Sequence, residues 1–359
     1  MTETSLAIIG AGLAGVTAAR VARENGVTPL ILEASDRIGG RIEGLRTDDG
    51  RLVGDLGPSW VWPPFQPVIE RWLERLETPV FDQYERGDAV LDGFAAEPFR
   101  HQLPGQYGMA RIVGGPSRLV EVMAAPLAAD RFRYRQTVQS IATRADGRLQ
   151  IDTEAGATVI ADQVLIAAPP RLVAERITLP AGIDRAVVQA LAQLPTWMAA
   201  QAKAVIRYSS PFWRDQGLSG RIASRIGPLF EAHDHTSADG DAALFGFVST
   251  PLSERDPATL RRAIVEQLTR CLGPDAARPD AVVLRDWALD PAICSTADRN
   301  EPPAHPSVGP AILRSPHLDG RLWFCGAETA DQSPGLIEGA LVAGENAASA
   351  ALAQRPNAA

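Results

Sequence analysis

The chain has few cysteines and no long apolar run. Its 359 residues include three cysteines, Cys271, Cys294 and Cys325, an odd number without the close spacing of metal ligands. We therefore expect no disulfide framework and no metal site, and a reducing compartment suits the chain. It has no run of eighteen apolar residues to span a bilayer, and no basic leader comes before the first predicted strand. We accordingly expect a cytoplasmic protein with no membrane partner.

Basic residues are in the minority. Asp and Glu number 43 against 35 for Lys and Arg, which gives a net charge of -8 at pH 7. A nucleic acid or an anionic membrane surface needs a basic face, so we exclude both as the main partner. The apolar fraction of 45% and the charged fraction of 22% are typical of a soluble globular protein. The length allows two domains.

Histidine is scarce too, with five in the chain. His233 and His235 flank Asp234, but no third metal ligand lies nearby in the sequence. We interpret this segment as a solvated loop rather than a metal site.

The first forty-one residues carry the strongest pattern. An apolar strand from Ser5 to Ile9 precedes the turn Gly10-Ala11-Gly12-Leu13-Ala14-Gly15, a helix of small residues, a strand from Thr28 to Leu32, and Glu33. The first glycine permits a tight turn, the second lets the backbone approach a pyrophosphate, and the third lets the helix pack closely on the sheet. Amides at the helix start bind phosphate, and an acid placed like Glu33 binds a ribose hydroxyl. The segment predicts a dinucleotide site and leaves NAD and FAD both open.

The residues after Glu33 favour FAD. They read Ala34-Ser35-Asp36-Arg37-Ile38-Gly39-Gly40-Arg41, where the paired glycines let amides face an anion and the two arginines offer forked donors. Taken singly, each arginine would more often be a solvated surface residue. From Ile8 to Arg41 the chain resembles the N-terminal segment of the flavin-dependent amine oxidase family, which includes relatives that desaturate. The resemblance implies FAD as the cofactor.

The resemblance covers most of the chain and implies a discontinuous α/β organisation. Residues 1–66, 110–170 and 281–359 would form a Rossmann-like FAD domain of the glutathione-reductase type. Residues 67–109 and 171–280 would form an α+β substrate domain. The active site is then expected between the two domains, over the flavin.

Periodicity and turn residues predict the local structure. Helices are expected at Val68 to Leu76, Ser117 to Ala125 and Ala258 to Cys271. Strands are expected at Tyr134 to Ile141, Leu149 to Thr153, Thr158 to Ile160, Gln163 to Ala168, Lys203 to Tyr208, Phe245 to Val248 and Val282 to Trp287.

The resemblance also implies further cofactor-binding residues. Gly57-Pro58-Ser59 would pass the flavin ring with its backbone, although Pro58 removes one donor. The backbone of Val138 would meet the adenine, and Ala168 ends a strand at the cofactor. Near the C-terminus the resemblance adds Gly326, Glu328, Leu336, Ile337 and Ala340. There an acid binds the cofactor and a helix N-terminus faces the flavin C2 carbonyl, where its positive end stabilises negative charge.

Four residues are candidates for the chemistry. Lys203 aligns with the family's strand lysine that holds a water against the flavin N5, whereas by composition alone it is a solvated head on an apolar stem. Trp60 and Trp287 would bound the substrate cavity, and by resemblance Trp287 also binds the cofactor, beside the flavin ring. Filling the core between domains is an equal alternative for Trp60. Leu336 replaces a family tyrosine that orients the amine, and no aromatic residue between Cys294 and Pro306 obviously supplies the opposite wall.

Together these features predict an FAD-dependent oxidase of amines or amino-acid derivatives. By resemblance, hydride passes from the substrate to flavin N5, dioxygen accepts the electrons, and imine and peroxide are released. Cys294 comes two residues early, relative to Trp287, for the family's covalent flavin link, so we expect non-covalent FAD. Carbon–carbon desaturation and a flavin-binding protein without turnover stay open as alternatives. The oligomeric state is left open.

Overall fold

The first sheet carries the predicted dinucleotide segment. The computed structural model describes residues 1–354, and residues 355–359 of the last predicted segment lie outside that range. Thr2–Ile9 lies at the centre of this sheet, paired in parallel with Leu30–Leu32 on one side and with Thr158–Ile166 on the other. The remaining strands are Phe132–Arg133, Val138–Thr143, Leu149–Thr153 and Leu322–Phe324. The apolar run of the central strand is buried because it has neighbours on both sides and helices on both faces.

Helices of small residues cover one face of the first sheet. Leu13–Glu24 and Ile337–Ala353 pack against each other over this face. A Cβ added to Gly15 would collide with the carbonyl oxygen of Gly10, and one added to Gly344 would collide with the carbonyl oxygen of Ala14. Gly15 therefore has the packing role that its position in the turn predicts.

The second sheet has seven strands and lies across the cavity from the first. In order, the strands are Ala281–Asp286, Ala202–Arg207, Ala243–Val248, Leu229–Asp234, Leu218–Ser224, Asp88–Asp92 and Phe99–His101. The helix Pro257–Leu272 shares a hydrophobic core with these strands. A two-stranded hairpin, Gly44–Arg46 with Leu52–Asp55, packs where Val205 and Phe245 are buried. A second small ladder pairs Val80–Asp82 with Ala110–Ile112.

Shorter elements complete the described chain. The other α-helices are Pro67–Arg75, Gly115–Ala124, Pro170–Arg176, Arg185–Gln193, Phe212–Asp215 and Thr296–Asn300. Single 3₁₀ turns occur at Pro63–Phe65, Ala129–Arg131, Leu252–Glu254, Pro274–Ala277, Trp287–Leu289, Ala311–Arg314 and Ala327–Thr329. Within residues 1–354 no helix is both long and apolar enough to cross a bilayer.

Two predicted strands are one. Thr158 to Ile160 and Gln163 to Ala168 were expected as separate strands, but Thr158–Ile166 runs without a break. The intervening Asp162 is the single exposed residue of this otherwise largely buried strand, and it makes no turn. The strand expected from Tyr134 begins only at Val138.

Four elements pack differently from the predicted division of the chain. The helix Pro67–Arg75 contributes Trp72 to the core under the first sheet, although residues 67–109 were expected in the substrate domain. Pro170–Arg176 and Arg185–Gln193 pack on the first sheet as well. Ala281–Asp286 pairs with Ala202–Arg207 and therefore belongs to the second sheet, not to the FAD domain. Pairing and burial with distant residues decide these positions, and local periodicity does not report them.

Gly344 gives a stability test of the helix contact. Alanine in a helix is normally better than glycine by roughly 1 kcal/mol, but the Ala14 carbonyl leaves no room for the added methyl group. Gly344→Ala should lower the free energy of unfolding by about 1–3 kcal/mol in chemical denaturation. The control Ser349→Ala, on the exposed face of the same helix, should leave it unchanged or slightly higher. Stabilisation by both variants would contradict the close packing.

Candidate active site

A cavity of about 700 Å³ lies between the two sheets. The parallel strands of the first sheet end at its wall, so Gly10, Glu33, Ala168 and Gly326 meet there from four different strands. All residues predicted to bind the cofactor line this cavity except Gly15, and so do all four candidates for the chemistry. Residues far apart in the sequence are thus brought to one place.

The glycine turn forms a cradle beside the cavity. Gly10 has a φ of +101°, which favours glycine, and Gly39 donates its amide to the carbonyl oxygen of Ala11 at 2.8 Å. A Cβ added to Gly12 would come no closer than 4.0 Å to another protein atom, so the space beside it is open. That space begins at the N-terminus of Leu13–Glu24, where helix amides favour an anion. The cradle fits a pyrophosphate.

Glu33 joins the cradle to the second strand. One carboxylate oxygen accepts the Ala11 amide at 2.6 Å, and the other accepts the amide and hydroxyl of Ser35 at 2.8 and 2.7 Å. A carboxylate has roughly four acceptor positions, so these three bonds leave room for one more. Glu33 is buried at the cavity wall, where the remaining position suits a ribose hydroxyl.

The two arginines have different surroundings. Arg37 donates to the carbonyl oxygens of Ile38, Gly40 and Ile42 at 3.2, 2.8 and 3.0 Å, and pairs with Glu43. Its donors are therefore used to hold the loop that carries Gly39 and Gly40. Arg37 also lines the cavity, so its predicted contact with the cofactor stays a prediction.

Arg41 instead reaches across the cavity wall. Its guanidinium forms a two-fold ion pair with buried Glu328, at 2.5 and 3.0 Å, and donates to the carbonyl oxygen of Trp197 at 3.0 Å. The Trp197 amide completes the group by donating to Glu328 at 3.3 Å. Arg41 of the N-terminal segment and Glu328 of the C-terminal segment are thus joined by Trp197, which belongs to neither segment.

The helix Ile337–Ala353 starts at the same wall. Leu336 is its N-cap residue, and no side chain in the described chain caps this end. The first-turn amides and the positive end of the helix dipole therefore remain available to an electron-rich group. Ile337 and Ala340 line the cavity with Leu336, as the resemblance implies.

Lys203 is buried where the second sheet faces the cavity. Its Nζ donates to the carbonyl oxygen of Gly57 and to Oγ of Ser59, both at 2.7 Å, and lies 4.1 Å from the ring centre of Phe245. Burial lowers the pKa of Lys203 to about 7, opposed by the charge of Asp55. The side chain is not a solvated head, and near neutral pH the amine exchanges between its charged and neutral forms.

An aromatic wall surrounds the lysine. Trp60 lies 5.0 Å from Phe245 and 6.5 Å from Phe247, measured between ring centres, and its Nε1 donates to Gln83 at 2.8 Å. Trp60 therefore lines the cavity and also packs against buried aromatic residues of the second sheet. Cavity lining and core filling, the two roles considered for it, are thus compatible. Trp287 is buried with its Nε1 bonded to the carbonyl oxygen of Leu56 at 3.0 Å.

The histidine pair is not in a solvated loop. His233 lies on the buried strand Leu229–Asp234, and His235 follows it. Nε2 of His233 lies 2.6 Å from a carboxylate oxygen of Glu231, and this bond lowers the pKa of Glu231 although burial opposes the shift. Within residues 1–354 no three potential metal ligands come together. The predicted loop was wrong because cross-strand pairing buries these polar residues.

Several residues that line the cavity were not predicted from the sequence. The cavity is lined by Glu231, Phe247, Trp197 and His305. The rings of Trp197 and His305 pack edge to face, with 4.7 Å between the ring centres. His305 lies in the interval in which no aromatic wall was recognised. One signal was available for the lysine: Lys203 is the only lysine in the chain, where every other member of the 35 basic residues is arginine.

The comparisons with known proteins agree with this geometry. Residues 64–352 match the model of the flavin containing amine oxidoreductases, and residues 8–76 match an NAD(P)-binding Rossmann-like domain. The chain is 24% identical to a probable flavin-containing monoamine oxidase A of Dictyostelium discoideum, over 96% of each protein. It is 25% identical to a putrescine oxidase of Kocuria rosea, over 77% of this chain and 80% of the relative.

Solved structures share the fold. Putrescine oxidase bound to putrescine superimposes with a TM-score of 0.80 at 20% identity, over 98% of this chain and 99% of the other. Cyclohexylamine oxidase from Brevibacterium oxydans gives a TM-score of 0.81 at 19% identity, over 97% and 98%. At this identity the likeness concerns the fold.

Gly12 tests the cradle. Valine is compatible with its φ of -66° and meets no protein atom at its Cβ, but it fills the space beside the helix N-terminus. Gly12→Val should therefore fold and lose most of its flavin, measured as the ratio of flavin to protein absorbance after purification. Melting of the flavin-free proteins, wild type and variant, controls for the fold. Full flavin occupancy in the variant would contradict the placement of the pyrophosphate.

Proposed function

Since the chain belongs to the family of flavin-containing amine oxidoreductases, we propose that it oxidises an amine or amino-acid derivative with dioxygen as the final acceptor. The observation that carries the proposal is a single buried lysine on the second sheet, facing the cradle of the first across one cavity. Overall, an amine, dioxygen and water would give an aldehyde or ketone, ammonia and hydrogen peroxide. Bound FAD supplies the acceptor for the hydride that leaves the carbon next to nitrogen.

The first sheet would hold the cofactor. The cradle at Gly12 binds the pyrophosphate, Glu33 the ribose, and the backbone near Val138 the adenine. Opening of the Arg41–Glu328 pair would free donors for the cofactor's polar chain. We infer a non-covalent attachment because the thiol of Cys294 is buried away from the cavity lining and burial raises its pKa.

The second sheet would supply the reacting environment. Lys203 has three donor positions when charged, of which two are held by Gly57 and Ser59. The remaining one is available to a water molecule or to oxygen in the cavity. The rings of Trp60 and Phe247 exclude bulk water from that place and present π faces suited to an ammonium or alkyl group.

Aromatic surface is present next to Leu336 despite the missing tyrosine. A Cβ added to Gly335 would lie 2.7 Å from Cβ of Trp197, so Trp197 abuts the residue that precedes Leu336. Its partner His305 lies in the interval that the family uses for the other wall. We propose that Trp197 and His305 orient the amine in place of the tyrosine cage, so Leu336 does not exclude an amine substrate.

Lys203→Met tests the proposed role of the lysine. Removing the amine takes away the donor in the cavity while keeping an unbranched side chain of similar length. Turnover with the best amine of a panel should fall by roughly 10²-fold or more, while flavin content stays at the wild-type level. The control Arg207→Met, on the same strand and outside the cavity lining, should turn over normally. Equal rates in all three proteins would remove Lys203 from the mechanism.

Glu231 suggests the charge pattern of the substrate. Its carboxylate lines the cavity among Phe230, Phe247 and Trp60, and the bond to His233 keeps it ionised. We infer that it binds a second cationic group, a reading in line with the putrescine oxidases among the relatives. A charge-assisted bond in a shielded place contributes about 1.5–3 kcal/mol.

Glu231→Gln should therefore raise KM for a diamine by about 10-fold or more, with little change for a monoamine of the same length. Steady-state peroxide release with the two substrates measures the difference. A parallel change for both substrates would assign Glu231 a structural role only.

A further inference from the structure

A buried charge cluster adjoins Lys203 outside the cavity lining. It consists of Asp55, Arg111 and His235, which are 2%, 5% and 1% exposed. Asp55 ends the hairpin strand Leu52–Asp55, Arg111 lies on Ala110–Ile112, and His235 follows Leu229–Asp234. Three separate elements thus place ionisable side chains in one buried region, where a charge is costly unless it is paired and hydrogen-bonded.

Asp55 is rigidly linked to the lysine through the backbone. Two residues after Asp55, the carbonyl oxygen of Gly57 accepts from Nζ of Lys203, and Ser59 Oγ accepts a second bond. The preceding Gly54 packs against Val205, two residues along the strand from Lys203. The loop that fixes the ammonium therefore also fixes the distance between it and the carboxylate.

His235 does not neutralise Asp55. Its Nε2 lies 2.8 Å from the amide nitrogen of Asp55 and 3.3 Å from a carboxylate oxygen of the same residue. Without a proton, Nε2 accepts a hydrogen bond from the amide, and with a proton it donates one to the carboxylate. Burial lowers the pKa of His235 to about 3, so both tautomers in question are uncharged at neutral pH. Burial opposes ionisation of Asp55, but the His235 bond and the charges of Arg111 and Lys203 outweigh it and hold the pKa of Asp55 below its ordinary value.

Arg111 does not form a direct ion pair with Asp55. Its guanidinium donates to the carbonyl oxygen of Thr236 at 2.7 Å, while its Nε and Oδ1 of Asp55 have no hydrogen-bond partner in residues 1–354. The carboxylate and the guanidinium act on Lys203 in opposite directions: the first favours the ammonium form and the second disfavours it.

The other charged groups near Lys203 have hydrogen-bond partners of their own. Arg285, the cross-strand neighbour of Lys203, pairs with Glu43 and Asp290 at 3.0 and 2.6 Å. On the next strands Asp234 pairs with Arg214, whereas the Glu231 carboxylate accepts a hydrogen bond from His233 and lines the cavity. Phe245 and Phe247, which flank the ammonium, carry no charge. Asp55 is thereby the buried carboxylate near Lys203 that has no ion pair with an arginine or lysine in residues 1–354 and does not line the cavity.

We propose that Asp55 is a positioning residue for the charge of Lys203: its buried carboxylate keeps the lysine able to carry a proton in the cavity, against burial and the repulsion of Arg111. With Asp55 in place the amine can both donate and accept a proton near neutral pH. Without it the amine would stay neutral and lose a donor. The effect of Asp55 on the charge of Lys203 does not depend on the proposed function. Only its consequence for turnover rests on that function.

The chain offers a direct measurement because Lys203 is its only lysine. Flavin-bound protein labelled with [13C,15N]lysine gives one side-chain Nζ signal, whose chemical shift is followed against pH through the Cε protons. The wild-type midpoint is expected near pH 7. Asp55→Asn keeps the side-chain volume and should move the midpoint down by at least about one pH unit.

Two further variants test the direction of the shift in the Lys203 midpoint and provide a control for it. Arg111→Gln removes the opposing charge and should move the midpoint up. Asp92→Asn neutralises another buried carboxylate, which pairs with Arg270 and does not line the cavity, and should leave the midpoint unchanged. Should Asp55→Asn not fold, the upward shift in Arg111→Gln with none in Asp92→Asn still supports the charge balance at the lysine.

An unchanged midpoint in folded Asp55→Asn, or in Arg111→Gln when the first variant does not fold, overturns the proposal. Because the titration is read on the lysine itself, its failure is distinct from a failure of amine oxidation, which the Lys203→Met kinetics report.

Discussion

The burial of one ammonium group constrains the centre of this molecule. Lys203 is 2% exposed, and an isolated charge in such a place costs several kcal/mol. Gly57, Ser59 and the face of Phe245 offset part of that cost with two hydrogen bonds and a cation–π contact. These partners come from the loop after the hairpin and from a neighbouring strand of the second sheet, so that loop has to pack against the second sheet for the amine to be tolerated at all.

The path of the chain satisfies this condition. Lys203 lies on the second sheet, whereas its oxygen partners lie on the loop that follows the hairpin of the N-terminal segment. The parallel strands of the first sheet bring a glycine turn, Glu33 and the Glu328 segment to one edge, and the cavity forms between that edge and the lysine. The chain therefore leaves the first sheet and returns to it, so both halves of the site are fixed by pairing within their own sheets.

The sequence predicts those parts of the site whose chemistry is local. The turn from Gly10 to Gly15 and the acid Glu33 follow from backbone and hydrogen-bond requirements that neighbouring residues reveal. Arg37 and Arg41 look equivalent in sequence, and only the fold shows that the first binds its own loop while the second meets Glu328, 287 residues away. Trp197 gives no local signal because its role arises from two backbone contacts. The polar His233 suggested exposure because its burial depends on the pairing of its strand and on the ring of Trp60, which is distant in sequence.

The central claim is that a non-covalent flavin lies between the two sheets and takes electrons from an amine. An absorption spectrum of the purified protein under anaerobic titration with a panel of mono- and diamines tests it most directly, with acid precipitation of the same sample at the end. The account predicts a flavin spectrum that bleaches with at least one amine and recovers in air, and a yellow supernatant after precipitation. A protein without flavin absorbance, or a flavin that no amine in the panel bleaches, would contradict it.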